Sequence, residues 1–406
     1  MADRPRFGIR HLVFCASCVV LMFSNEEGSA IFFQALGVAL FVLSGMLFFV
    51  STPSTPIKIT PFDAIMLFSV PLSYVAVALS EDSYSLMHTT IFLITYLSVM
   101  IIAQRASAEE LIMCIRTATL AILGIVVVQF GDSLITGLMP GALKRWQLRE
   151  APFGMHPNLA GFIYGGFIVM AANSGMLRWR LNHLLTVVII ALCVAVMLVA
   201  SARGGLLAVV LTLAVYVASE IIKGRRSTTY IIVIGVALAI LAFFYWERIA
   251  AYAIEMFDLN SRERGLSSGG TGRFEIWARG IDYIFGRSWE IFIGSGLRST
   301  HNMSFPVESS YINLAVDSGI FLTAATLLCF IGILARSYSE QNSGSAFHRF
   351  AFYTLLFAVF QSVFNRYLIA VGNPFSLIVL LVASKASGKI TPALRNARAI
   401  AAADTA

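Results

Sequence analysis

Charge is what this chain has least of. Only 13% of its 406 residues are Asp, Glu, Lys or Arg, against 58% hydrophobic, whereas a soluble domain carries about a quarter charged residues. That deficit excludes an ordinary soluble fold. Several motifs are missing as well. No GxxxxGK[ST] occurs, and no GxGxxG at a strand–helix junction, so no nucleotide-binding fold is signalled. Without HExxH, or a DxD pair in the outer loops, the commoner signatures of metal chemistry are absent, and neither metal nor cofactor is expected. Cysteine is sparse: Cys15, Cys18, Cys114, Cys193 and Cys329 all fall in apolar runs. Cys15 and Cys18 make a CxxC with no βαβ pattern around it, which reads as two small hydrophobes. Neither an internal repeat nor a low-complexity tract is visible.

What the chain does have is apolar runs long enough to cross a bilayer as helices. They are expected near 11–23, 30–50, 62–80, 86–103, 111–131, 159–177, 184–200, 205–222, 229–246, 309–335, 349–370 and 373–385. The predicted fold class is all-α: a polytopic membrane protein of about 12 transmembrane helices. Residues 1–406 form a single integral membrane domain, with a long, partly helical loop at 247–308. The first run follows Arg4, Arg6 and Arg10 with no convincing small-residue cleavage site after it, so it reads as a retained helix. An even span count puts both termini on one face. Arg10, "RWR" (178–180), "KGRR" (223–226), Arg336, Arg349 and Lys385 share that face, while the alternate loops "SNEEGS" and "SEDSYS" carry acids only. The positive-inside rule makes the termini cytoplasmic. The net charge of +7 then reflects loops facing anionic headgroups and lipid-linked anions, with no need of nucleic acid.

On this topology the outer segments, 133–158 and 247–308, are rich in arginine and hold one lysine, Lys144. Arginine offers a planar fork that grips phosphate oxygens bidentately and keeps its proton. Some of these residues suit surface ion pairs instead. In "TGRFEIWARGIDYIFGR" (271–287), Phe274, Trp277, Ile281 and Ile284 mark the apolar side of an amphipathic helix. There Arg279 has Glu275 and Asp282 within helical reach. Arg273, with Trp at i+4, lacks such a partner and suits a ligand-reaching role. A single helix over 184–222 would be about 58 Å long, too long for one crossing, so the chain is expected to turn at Gly204–Gly205. Arg203 then sits at the tip of an outer hairpin, either as a ligand-holding arginine or as a snorkelling anchor. "GSGLRSTHNMSFPVESSYINLAVDSG" (294–319) gathers Arg298, His301, Glu308 and Tyr311 near the membrane. Glu308 fits either a helix N-terminal acid or a general base.

The order of these features, "R…G.HPNLAG", "SARGG" at a hairpin, a long loop with "GR…W", then "SYINLAVDSGI", resembles the O-antigen ligase/O-antigen polymerase superfamily over roughly residues 145–335. The resemblance implies a bacterial inner-membrane glycosyltransferase whose active face is periplasmic. Its substrate would be an undecaprenyl-diphosphate-linked oligosaccharide, its transfer inverting and metal-independent, and its surroundings membrane lipid. A chain-length regulator is a compatible partner. Arg203 and Arg273 match the family arginines that hold the diphosphate, and Glu308 stands where a histidine is common. That departure favours a polysaccharide polymerase over the alternative, a ligase acting on a lipid A-core acceptor. Arg149, His156 and Asn158 would line the glycan side, with Arg279, Arg298, His301 and Tyr311 as further substrate-binding candidates. A transporter or flippase is the rival from another class. It is disfavoured because the spans are nearly free of ionisable residues and no two related halves are visible.

Overall fold

A computed structural model describes residues 7–25, 30–52, 56–138, 151–173, 181–222, 273–303, 305 and 307–388. Among them are thirteen α-helices and no strand. Eight come before the first long gap: α1 (Ile9–Met22), α2 (Ala30–Ser51), α3 (Pro61–Ser80), α4 (Ser83–Arg105), α5 (Ala108–Leu138), α6 (Pro157–Asn173), α7 (Leu181–Val199) and α8 (Arg203–Ile222). Five follow: α9 (Arg273–Phe285), α10 (Glu290–Ile293), α11 (Ser310–Asn342), α12 (Ala346–Gln361) and α13 (Pro374–Ser387). Six helices, α2, α3, α4, α5, α8 and α11, contain stretches long and apolar enough to cross a membrane. The chain is a membrane-embedded helical protein. The ninth expected span, 229–246, lies outside the described residues, as do Arg149, "RWR" and "KGRR".

Local sequence sets the helix ends. Thr60 opens α3 as a capping box, its hydroxyl accepting from Asp63 N–H at 3.1 Å while the Asp63 carboxylate accepts from Thr60 N–H at 3.2 Å. Asp82 caps α4 through the N–H groups of Tyr84 and Ser85. Pro157 and Pro374 stand at first helical positions, where the missing donor has no cost. Exposed Ile31, Phe32, Val50, Val128, Val210 and Ile222 stud the outer surfaces of α2, α5 and α8, as expected where lipid replaces water as the solvent. Inside, α6 and α13 are apolar nearly all round and almost wholly buried.

Four of the described basic residues, Arg10, Arg336, Arg349 and Lys385, mark one end of the bundle. Arg10 pairs with Glu110 at 2.6 Å and donates to Ser51, Arg336 donates to Ser387 O, and Lys385 donates to the carbonyls of Ala103 and Ala106 at the end of α4. Arg349 reaches Tyr216 and Glu220 near the end of α8. Asp63 knits the same end together, accepting from Tyr96 of α4 and Ser384 of α13. All five cysteines are free thiols, four of them buried.

The structure corrects the expected elements in four places. The α7–α8 turn falls at Ala200–Ala202, and Gly204–Gly205 lie inside the first turn of α8. Ser201 takes the left-handed conformation (φ 52), with Ser201 N–H donating to Leu198 O and Ala202 N–H to Met197 O. That is a Schellman ending, built without the usual glycine. The expected span at 309–335 is broken at Gly319 (φ 76). There the backbone of Ser295 and Gly296 bonds to Val316 O and Asp317 O. The expected span at 349–370 stops at Gln361, and residues 362–373 form a loop tucked into the protein. Finally, the apolar side of α9 is divided. Ile284 is buried, and a side chain at Gly280 would collide with Ile312 of α11, but Phe274 and Ile281 are exposed.

Candidate active site

Opposite the basic end, the N-termini of α6, α8, α9 and α11 come together. Close helix contact makes this possible. A Cβ on Gly205 would sit 2.6 Å from Gly161 Cα, and one on Gly161 would sit 3.1 Å from Gly205 Cα. With no side chain between them, α6 and α8 cross backbone to backbone, the small-residue packing that membrane helices favour. That crossing places Asn158, at the start of α6, beside the α8 N-terminus opened by Arg203. Four helix N-termini also supply partial positive charge to one region.

The polar centre is Arg273, Asn158 and Glu308. Asn158 donates from Nδ2 to Glu308 Oε2 at 3.1 Å and accepts at Oδ1 from Arg273 Nη2 at 3.3 Å. Arg273 Nε lies 3.6 Å from Glu308 Oε2, an ion-pair distance too long for a hydrogen bond. Most of the guanidinium's donors are therefore uncommitted among the described residues, although its side chain is only 17% exposed. Burial lowers its pKa, and the Glu308 carboxylate opposes that shift. The guanidinium lies over the Phe364 ring, 5.3 Å from Cζ to centroid. A Cβ on Gly204 would meet Phe364 Cβ at 2.7 Å, so Phe364 links the first turn of α8 to Arg273. Arg203 is half-buried beside this contact, its N–H donating to Ser201 O at 2.9 Å.

Glu308 precedes the α11 N-cap, Ser309. Its carboxylate reaches across to α6 and α9, so it does not act as a first-turn acid of α11. Oε1 faces His156 Nε2 at 3.9 Å. Burial lowers the His156 pKa, the Glu308 charge works against that, and Arg366 and Arg273 add to the lowering. The cluster thus has one carboxylate oxygen held by Asn158 and another facing outward beside a histidine.

The remaining expected residues divide. Arg279 bonds Glu275 at 2.8 Å on an exposed helix face, as its i−4 spacing suggests, and lies over the Phe305 ring. The Tyr311 hydroxyl donates to Val359 O at 2.5 Å, tying α11 to α12. Arg298 and His301 line a separate cavity. The inferred lack of a partner for Arg273 holds only along its own helix, since Glu308 lies far beyond it in sequence.

Sequence reasoning missed the loop 362–373. Ser310 N–H donates to Ser362 O at 2.8 Å, and Ser310 Oγ donates to Asn365 O at 2.7 Å. These bonds strap the loop to the start of α11 and carry Phe364 and Arg366 to the site. The interruption of an apolar run by Asn365–Arg366 was the available signal. No protein family matches this chain, and no curated protein matches it in sequence.

Proposed function

We propose that the chain is a membrane-embedded glycosyltransferase of the O-antigen polymerase type, working on the periplasmic face of a bacterial inner membrane with both termini cytoplasmic and about 12 spans. The observation that carries this reading is the largely buried, mostly uncommitted guanidinium of Arg273 held beside the Glu308 carboxylate through Asn158. A cation prepared for an anion and a base prepared for a hydroxyl are the two groups that glycosyl transfer from a diphosphate requires.

In this reading the acceptor sugar hydroxyl attacks the anomeric carbon from the face opposite the diphosphate. The new C–O bond forms as the bond to the carrier phosphate breaks, the electron pair leaves with undecaprenyl diphosphate, and Glu308 Oε1 takes the hydroxyl proton. Arg273, with Arg203 across Phe364, stabilises the growing charge on the leaving group, and such preorganised electrostatics contribute about 3–4 kcal/mol per donor. Asn158 fixes both partners and His156 faces the glycan. The polyprenyl tail lies among the apolar helices.

Incubating the purified protein with an undecaprenyl diphosphate oligosaccharide, with and without a lipid A-core acceptor, tests the assignment. A polymer ladder without the core acceptor supports the polymerase. Product only on the core makes it a ligase, and neither product sinks the enzyme reading in favour of transport.

A further inference from the structure

Beside the Glu308 cluster lies a second polar cavity of about 180 Å³. It is smaller than the roughly 300 Å³ and upward of drug-sized sites, and suits one sugar ring better than an oligosaccharide. Arg298 and Arg366 both line it. Both are exposed, and neither has an acid within ion-pair distance among the described residues. Arg298 takes a left-handed backbone (φ 63), a conformation costly for a non-glycine residue and concentrated at functional positions.

The one carboxylate in the lining, Asp317, is already satisfied. It accepts from Ser299 Oγ and Asn313 Nδ2, each at 3.1 Å, and from the backbone N–H groups of Arg298 and Thr300. Asp317 therefore organises the floor, and its charge offsets part of that of Arg298, so that the two guanidiniums outnumber the one carboxylate of the lining. One wall is aromatic: the Tyr84 ring lies 4.1 Å from that of His301 and 4.5 Å from that of His88. His301 is steadied by Arg298 O at 2.9 Å and by Asp82 at 3.8 Å. Two forked cations in one cavity with tilted aromatic rings match a pyranose ring that carries an anionic group. A planar carboxylate is the anion that a sugar ring itself bears. The cavity also adjoins the proposed transfer site, because Arg366 follows Asn365, whose carbonyl accepts from Ser310 Oγ, and its charge is felt by His156.

We propose that this cavity binds a carboxylate-bearing sugar, of the uronic acid class, in the glycan that the enzyme handles. The assignment of the sugar to that glycan rests on the glycosyltransferase reading; the binding itself does not. The test uses the purified full chain in detergent and three probes without diphosphate: methyl glucuronide, methyl glucoside and inorganic phosphate, followed by saturation-transfer NMR. Methyl glucuronide should bind about tenfold more tightly than methyl glucoside. Arg298→Gln with Arg366→Gln should abolish that preference, Arg298→Lys should retain part of it, and Arg273→Gln should leave it unchanged. Equal binding of the two glycosides, an unaltered preference in the double variant, or displacement of glucuronide by an equal concentration of phosphate would overturn the proposal. A wild-type protein that prefers glucuronide yet makes no glycan product would refute the transfer reading alone, and would leave the cavity as an acidic-sugar site.

Discussion

Arg273 and Glu308 face each other at 3.6 Å across Asn158, which hydrogen-bonds to both. Neither lies near the other in sequence, and the amide is what sets their spacing.

Replacing Asn158 with Leu keeps the side-chain size and removes both bonds. Mispositioning by about 1 Å costs on the order of 100-fold in rate, so glycan transfer should fall by about that factor. Helix content, measured by circular dichroism, should stay at the wild-type level. Unchanged transfer would show that the pair needs no bridge.

Gly205→Ala should be destabilising by about 1–3 kcal/mol, because the new methyl meets Gly161 backbone at 2.6 Å and backbone cannot move aside. A methyl added at Gly124 of α5 would have nothing within 4 Å of it, so Gly124→Ala should be neutral or stabilising by up to about 1 kcal/mol. Thermal unfolding of both variants in the same detergent makes the comparison.

The turn before Arg203 gives an opposite expectation. Ser201 holds φ 52 at the position where glycine is usual. Ser201→Gly should therefore leave the unfolding midpoint unchanged or raise it, whereas the β-branched Ser201→Val should lower it, at a cost of about 1–2 kcal/mol. Equal midpoints for the two would contradict the Schellman assignment.

Acid should loosen the cap of α4. Burial alone raises the Asp82 pKa, but hydrogen bonds from the Ser85 side chain and backbone, with His301 and Tyr84 N–H, outweigh it and bring the pKa below the usual aspartate value. With the folded value below the unfolded one, the ionised group adds stability above about pH 3.9. That stability is lost as pH falls through the lowered folded value. Unfolding midpoints measured from neutral pH downward should drop less steeply for Asp82→Asn than for the wild type.

How far the sequence discloses this molecule depends on the range of each interaction. Apolar length is a local property, so eleven of the expected runs overlap helices, six of them long and apolar enough to cross a membrane. The loop 362–373 was not legible, because its packing into the protein keeps it nearly as apolar as the helices it joins, with Asn365–Arg366 as the exception. Gly204–Gly205 were read as a turn because glycine serves both turns and close packing, and only the position of Gly161 distinguishes them. At the site, Arg203, Arg273 and Glu308 were marked from type and position, and Asn158 only through the family resemblance. The Asn158 bridge and the Phe364 platform arise from contacts between distant segments, which no local pattern announces.

The central claim is that Arg273 stabilises a diphosphate leaving group, and the most direct test is the ladder of glycan products from purified Arg273→Gln given an undecaprenyl diphosphate oligosaccharide. The account predicts product formation reduced by about 100-fold or more, with wild-type helix content and thermal midpoint. A ladder of normal length and yield would contradict it.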